Sequence, residues 1–223
     1  MSKAEPCSGN DTEHCSAFAS AEWKERAVGD SGESAGRAAP SGRKDARRNR
    51  ETLLDAAATV FVTSGVDAPV RDIAAKAGVG LGTIYRHFPT RADLVIGVYR
   101  HQVDACADAG PALLATGSPY TALGQWIDLF VDFLVTKHGL AAVMRPDNAD
   151  FEALHTYFLD RLLPVCTELL DAAAVTGEIR PDIDAYELMR GVGNLCIGAE
   201  SDTRYDARRM AGLLVAGLRR PHA

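Results

Sequence analysis

The sequence predicts an all-α protein in two parts: an N-terminal three-helix unit of the helix-turn-helix kind, and a larger C-terminal helical domain. Apolar residues recur at helical spacing in most long segments, as in Leu53, Ala57, Val60 and Phe61. No segment alternates with the period of two that marks a half-buried strand. Glycine and proline punctuate the periodic stretches at Gly65, Pro69, Gly78, Gly80 and Pro89, where helices must stop and restart. With 223 residues and 47% hydrophobic content, the chain is long enough to bury a substantial core.

Residues 1–42 are rich in Ser, Gly, Ala and Glu, with Phe18, Trp23 and Val28 among few large apolar residues, and read as a disordered tail. The segment 43–90 is the helix-turn-helix unit. It opens on a basic run, Arg43 to Arg50 with Arg47 inside it, suited to following a phosphate backbone or entering a minor groove. A first helix is expected from about Asp45 to Ser64, stopped by Gly65. Asp67 and Pro69 open the second helix, where a missing proline N–H would have had no partner anyway. That helix, Arg71 to Ala77, turns Ile73, Ala74 and Ala77 to one side. Gly78 ends it, because a residue tolerating positive φ closes a helix sharply. Val79 is expected to point inward from the turn.

The third helix, about Leu81 to Phe88, buries Ile84 and Phe88 at i, i+4 and leaves Gly82, Thr83, Tyr85, Arg86 and His87 facing outward. Small residues at its start suit entry into a major groove, where a bulky side chain would hold the backbone off the base edges. Tyr85 carries a hydroxyl for phosphate, and His87 can donate to phosphate or to a base edge. Thr90 is expected to cap the next helix. Arg91, in the first turn of that helix, adds a cation beside free N–H groups and suits a bound phosphate.

These residues resemble the DNA-binding domain of the TetR family of bacterial transcriptional regulators. The resemblance implies DNA contacts for Thr83, Tyr85, His87 and Arg91, with Arg91 holding phosphate, and a base contact for Arg71. Two departures matter. Pro69 and Val70 stand where the family usually has Thr or Ser, and Gly80 replaces another such residue, so backbone N–H groups take over from hydroxyls. Leu81 stands where a polar base-reader is common, and meets a thymine methyl or nothing.

The formal net charge of −6 is unevenly spread. Acids dominate before residue 43 and after Arg91, whereas Arg43, Lys44, Arg47, Arg48 and Arg50, with Arg71, Lys76, Arg86 and Arg91, make the stretch between basic. A basic island in an acidic chain localises phosphate attraction to one face.

Residues 91–223 read as a regulatory, ligand-binding and dimerisation domain. A connecting helix is expected from Arg91 to about Ala107, ended by Gly110-Pro111. The next, Pro119 to Lys137, is apolar on several sides and so buried. A short helix near Leu140 to Met144 precedes a long one, Asn148 to about Val175, interrupted by Pro164 and ended by Gly177. The last two span about Asp184 to Gly198 and Thr203 to Leu218. Candidate lining for a small-molecule pocket comprises Trp126, Phe130, Phe133, His138 and Met144, with Phe151, His155, Phe158, Cys166, Met189 and Asn194. His155 and Asn194 are polar on apolar faces and need partners. The resemblance implies that the final two helices pair with their copies in a homodimer, through Leu188, Gly191, Val192 and Leu195, then Leu213, Leu214 and Leu218. One recognition helix reads too few bases alone.

Other classes are excluded on chemistry. No apolar run approaches the roughly 20 residues that span a bilayer, and no signal peptide opens the chain, so a cytoplasmic protein without a membrane partner is expected. Cys7, Cys15, Cys106, Cys166 and Cys196 are odd in number and scattered, which argues for reduced thiols. Cys7, His14 and Cys15 lack a fourth metal ligand at usable spacing. There is no phosphate loop, nucleophile elbow or His-Glu metal motif, so neither cofactor nor enzyme activity is expected. The expected function is a ligand-responsive repressor of a palindromic double-stranded operator, released by a small-molecule inducer. The alternative is a helical module that keeps the fold without specific operator binding.

Overall fold

The computed structural model describes the backbone of residues 41–141, 149–197, 199, 202 and 204–220, and their side chains except those of 41–46, 136–141 and 149–151. Eight helices lie among the described residues: α1 (Ser41–Ser64), α2 (Val70–Ala77), α3 (Leu81–His87), α4 (Arg91–Thr116), α5 (Pro119–Ala141), α6 (Ala149–Val175), α7 (Ala185–Leu195) and α8 (Ala207–Ala216). One isolated bridge pairs Ile179 with Arg219. The all-α expectation holds.

The head is built as its sequence pattern requires. Leu53, Ala57, Val60 and Phe61 of α1 are buried, and Gly65 stops the helix at φ 77°. Gly78 closes α2 at φ 67°, with its N–H on the Ala75 carbonyl and the Val79 N–H on that of Ala74. These return bonds satisfy carbonyls that the helix end would otherwise leave open. Val79 packs, half-buried, against the head core, as expected.

Two hydrophobic cores result. The first joins Leu53, Phe61, Ile73, Ile84 and Phe88 to Leu94, Val95 and Val98 of α4. The second runs from Tyr99 through α5 and α6 to α7 and α8. Both take residues from α4, and they meet there between Val98 and Tyr99. Gly97 is part of that joint, since a Cβ on it would stand 2.6 Å from the Phe88 ring. His101 Nε2 and Asp55 Oδ1, 2.7 Å apart, tie α4 to α1 on its flank.

The structure corrects several boundaries. α4 runs through Gly110-Pro111 to Thr116, with Leu113 buried beyond the proline. Pro111 forfeits one backbone hydrogen bond, but Gly110 sits where α4 presses on α6, and a Cβ there would overlap Val165. Packing therefore outweighs the local stop signal. Pro164 likewise stays inside α6. α5 extends to Ala141, absorbing the start of the expected short helix, whose remainder to Met144 lies outside the described residues. The last two helices are shorter than expected. Each begins at an aspartate cap: Asp184 forms a reciprocal box with Glu187, and Asp206 accepts from the Arg209 N–H. α1 starts at Ser41, inside the stretch assigned to the tail. Residues 1–40, with Cys7, His14 and Cys15, lie outside the described residues.

Candidate nucleic-acid interface

α3 is held from beneath. Ile84 and Phe88 are sunk in the head core, Arg50 lies 5.3 Å over the Phe88 ring, and the opposite face is open. On that face Leu81 is 46% and Tyr85 50% exposed, beside exposed Gly82, Arg86 and His87, with Thr83 half-buried. About half of the Leu81 and Tyr85 side chains stays uncovered on this face, and that surface is open to a partner.

The glycines at the start of α3 are not explained from within. Neither Gly80 nor Gly82 takes positive φ, and a Cβ on either would meet nothing within 4 Å. The head does not need them to be small. What they provide is clearance toward the outside, which a docking surface approaching the backbone would use. Gly80 supplies no side-chain cap, and Pro69 supplies none to α2. The hydroxyls missing from the sequence have no local replacement at these two caps.

Arg71 and Arg47 keep exposed guanidiniums. Among the described residues each has a loose surface partner, Asp72 and Glu51 respectively, both at 3.5 Å. Exposed pairs of this kind hold a charge weakly, so both cations remain available.

Two expected contacts are redirected. The Thr90 hydroxyl accepts from the Asp93 N–H and donates to the Asp93 carboxylate, which in turn accepts from the Thr90 N–H. Thr90 caps α4 as expected, but its side chain is committed to that cap and is not a free phosphate ligand. Arg91 turns inward instead of outward. Its Nη2 donates to the carbonyls of Val66 and, at 2.7 Å, Ala68, while the guanidinium lies 5.8 Å over the Phe61 ring. The loop between α1 and α2 has carbonyls to satisfy, and Arg91 is the donor within reach. The reciprocal Asp93 was legible as a Thr-x-x-Asp pattern of the capping-box type and was missed. The partners of Arg91 carry no local signal.

The C-terminal domain gathers much of the expected aromatic lining. Tyr99 and Phe133 are 5.5 Å apart, Phe133 and Phe158 5.9 Å, Phe158 and Phe130 5.9 Å, and Phe130 and Trp126 5.4 Å. Trp126 Nε1 donates to the Cys106 carbonyl at 2.9 Å. Met189 and Cys166 are buried in the same core. Burial pushes the Cys166 thiol up to about 12 and the Cys196 thiol to about 11, as befits inert core groups. His155 and Asn194 are corrections: both are exposed, His155 stacking on Phe158 at 6.1 Å, so neither needs the buried partner expected for it. The side chains of His138, Met144 and Phe151 lie outside those described.

The expected dimer residues divide in two. Leu188, Val192 and Leu218 are sealed within their own protomer, so they are core rather than interface. Gly191, Leu195 and Leu214 are half-buried. Leu213 is 57% exposed, on the same terminal pair of helices as the exposed Tyr186 and Met210, with Ile197 just beyond α7. These last three went unnamed because α7 and α8 carry apolar residues on more than one face, and periodicity does not say which face is inside.

A three-helix head whose third helix, α3, opens on glycine and leaves one face uncovered, joined by one long helix to a larger helical body, defines a helix-turn-helix transcriptional regulator. The chain belongs to the TetR family and is not an enzyme. Residues 53–98 match the family model described as bacterial regulatory proteins, tetR family, and residues 118–220 that of the transcriptional regulator SbtR-like C-terminal domain. The HTH-type transcriptional repressor KstR2 of Rhodococcus jostii is 27% identical over 78% of this chain and 92% of its own. The TetR transcriptional regulator SCO0520 of Streptomyces coelicolor is 36% identical at a TM-score of 0.67, covering 78% of this chain and 99% of that one. The regulator FadR of Bacillus subtilis, solved in complex with stearoyl-CoA, shares the fold at 22% identity and a TM-score of 0.53, over 75% and 96% of the two chains. Among the described residues, no helix is long and apolar enough to cross a membrane, and no cluster of three metal-ligating side chains occurs.

Proposed function

We propose that this regulator is a cytoplasmic repressor that binds a palindromic operator as a homodimer and is released by a small molecule held in its C-terminal domain. The open face of α3 carries the reading. Gly82 and Thr83 let the backbone approach base edges, Arg71 reads a base from the first turn of α2, and Tyr85, His87, Arg86 and Arg47 face phosphate. A second head one helical turn away, about 34–36 Å, supplies the other half-site. The exposed side chains Leu213, Met210, Tyr186 and Ile197 are the contact through which a second copy covers the terminal helices. The buried aromatic row between α4, α5 and α6 supports the ligand site, as does a ligand-bound relative of the same fold. Occupancy there shifts α4 and takes the two heads out of groove register, so DNA must weaken ligand binding by the same factor.

A second reading, a helical module without specific operator binding, draws on the missing side-chain caps of α2 and α3. Titration of the protein on random and on affinity-selected duplexes separates the two. The repressor reading expects log K to fall with log salt by about 0.9 per neutralised phosphate, with selected duplexes bound tighter by at least about a thousandfold. Affinity that ignores salt removes it, and equal affinity for both duplex sets leaves the second reading.

A further inference from the structure

The middle of the buried face of α4 holds a side chain that the fold leaves without a partner. Gln102 is 4% exposed, and both its carboxamide oxygen and its nitrogen are buried with no hydrogen-bond partner. Such a group surrenders its bonds to water on folding and receives nothing in exchange. Native interiors rarely tolerate this, and each instance calls for a cause.

Its position is informative. Helical spacing sets Gln102 one turn from Val98, Tyr99 and Cys106, all of them buried. Val98 belongs to the head core and Tyr99 to the body core, so the amide lies where the two cores join. From Tyr99 the aromatic row leads on through Phe133 and Phe158. Among the described residues, Arg100 on the adjoining turn of α4 lies 5.0 Å over the Tyr157 ring, and Arg161 of α6 pairs with Asp104 of α4 at 2.8 Å, so both cations are engaged elsewhere. An anionic group brought to Gln102 would find neither of these two cations free. A neutral group that offers a donor beside an acceptor would satisfy the amide completely, and flat rings favour a flat apolar body.

We propose that Gln102 is the polar reader of the ligand site, selecting a neutral molecule with a flat apolar body and a donor-acceptor head such as a carboxamide or lactam. This rests on the ligand-responsive reading above and deepens it. Because the amide sits at the joint of the two cores, binding there acts directly on the segment of α4 that carries the head.

The test uses the full chain and four matched probes: benzamide, acetophenone, benzoate and ethylbenzene. Their affinities are measured by ligand-observed NMR and calorimetry on the wild type, Gln102→Leu and Gln102→Met. Benzamide is expected to bind the wild type at least tenfold tighter than each of the other three, and both variants to lose that preference. The unliganded variants should melt no lower than the wild type, since no bond is lost. Three results overturn the inference: variants that melt several degrees lower or fail to fold, an amide preference that survives substitution, or no benzamide binding by the wild type up to its solubility limit. Duplex titration of the same samples keeps the two readings apart. Salt-dependent DNA binding without amide preference defeats the role of Gln102 alone. Amide preference without DNA binding defeats the repressor and leaves the site standing.

Discussion

Replacing Arg91 with alanine distinguishes a side chain that holds the head together from one that holds DNA. The guanidinium donates to the Val66 and Ala68 carbonyls and covers the Phe61 ring. Hydrogen bonds from a charged donor contribute about 1.5–3 kcal/mol each, and a cation over a ring a further ~0.5–1 kcal/mol. Against this, Arg91 Nε is buried without an acceptor, a cost of about 1–3 kcal/mol that truncation relieves. The net destabilisation should fall at about 0.5–6 kcal/mol and centre on about 3 kcal/mol, within the range of a lost buried network. Urea denaturation followed by circular dichroism reads it as a lower midpoint at constant slope. Duplex titration by fluorescence anisotropy, run at a temperature where the variant stays folded, should show the salt dependence of the wild type. A phosphate ligand would behave in reverse, with stability intact and the log K against log salt slope shallower by about 0.9. That outcome would refute the inward assignment. Arg91→Lys should recover only part of the stability, because an ammonium lacks the planar fork that spans two carbonyls.

Four further outcomes are expected. Tyr85→Phe should weaken binding to all duplexes alike, whereas Arg71→Ala should also relax preference at one base position by roughly 1–3 kcal/mol; equal loss of selectivity in a selected-duplex assay would show the roles misassigned. Gly110→Ala should cost about 1–3 kcal/mol in thermal unfolding through its overlap with Val165, and Val165→Ala in the same chain should return part of it. Leu213→Arg should yield a folded monomer in sedimentation equilibrium, while Leu188→Ala should lower stability by about 2–5 kcal/mol; a dimer that survives Leu213→Arg places the interface elsewhere. Burial opposes the charged form of Glu178, but hydrogen bonds from Thr176, Ser118 and the Tyr120 N–H, with Arg219 nearby, hold its carboxyl below the usual range. A depressed folded value stabilises above the unfolded pKa, so Glu178→Gln should lower the melting temperature at pH 7, and the gap should close as pH falls below roughly 4.

The head was legible almost residue by residue. The left-handed stop at Gly78, the inward Val79, the Ile84 and Phe88 anchors and the open Gly82 all follow from chemistry within one or two turns, which is what periodicity and capping encode. The same locality explains the misses. Gly110-Pro111 reads as a stop because the benefit of continuing α4 lies in its contact with Val165, far along the chain. Arg91 reads as a phosphate ligand because its carbonyl partners stand 23 and 25 residues before it.

The amino-acid sequence alone determined the all-α class, the order of the helices and the family to which the chain belongs. Tertiary structure decided which of several apolar faces is interior. It sealed Leu188, Val192 and Leu218, left Leu213 outside, brought His155 and Asn194 to the surface, and placed Gln102 without a partner where the two cores join. Helix formation is encoded at a distance of three or four residues, whereas burial and hydrogen-bond satisfaction depend on neighbours that only the closed fold brings together.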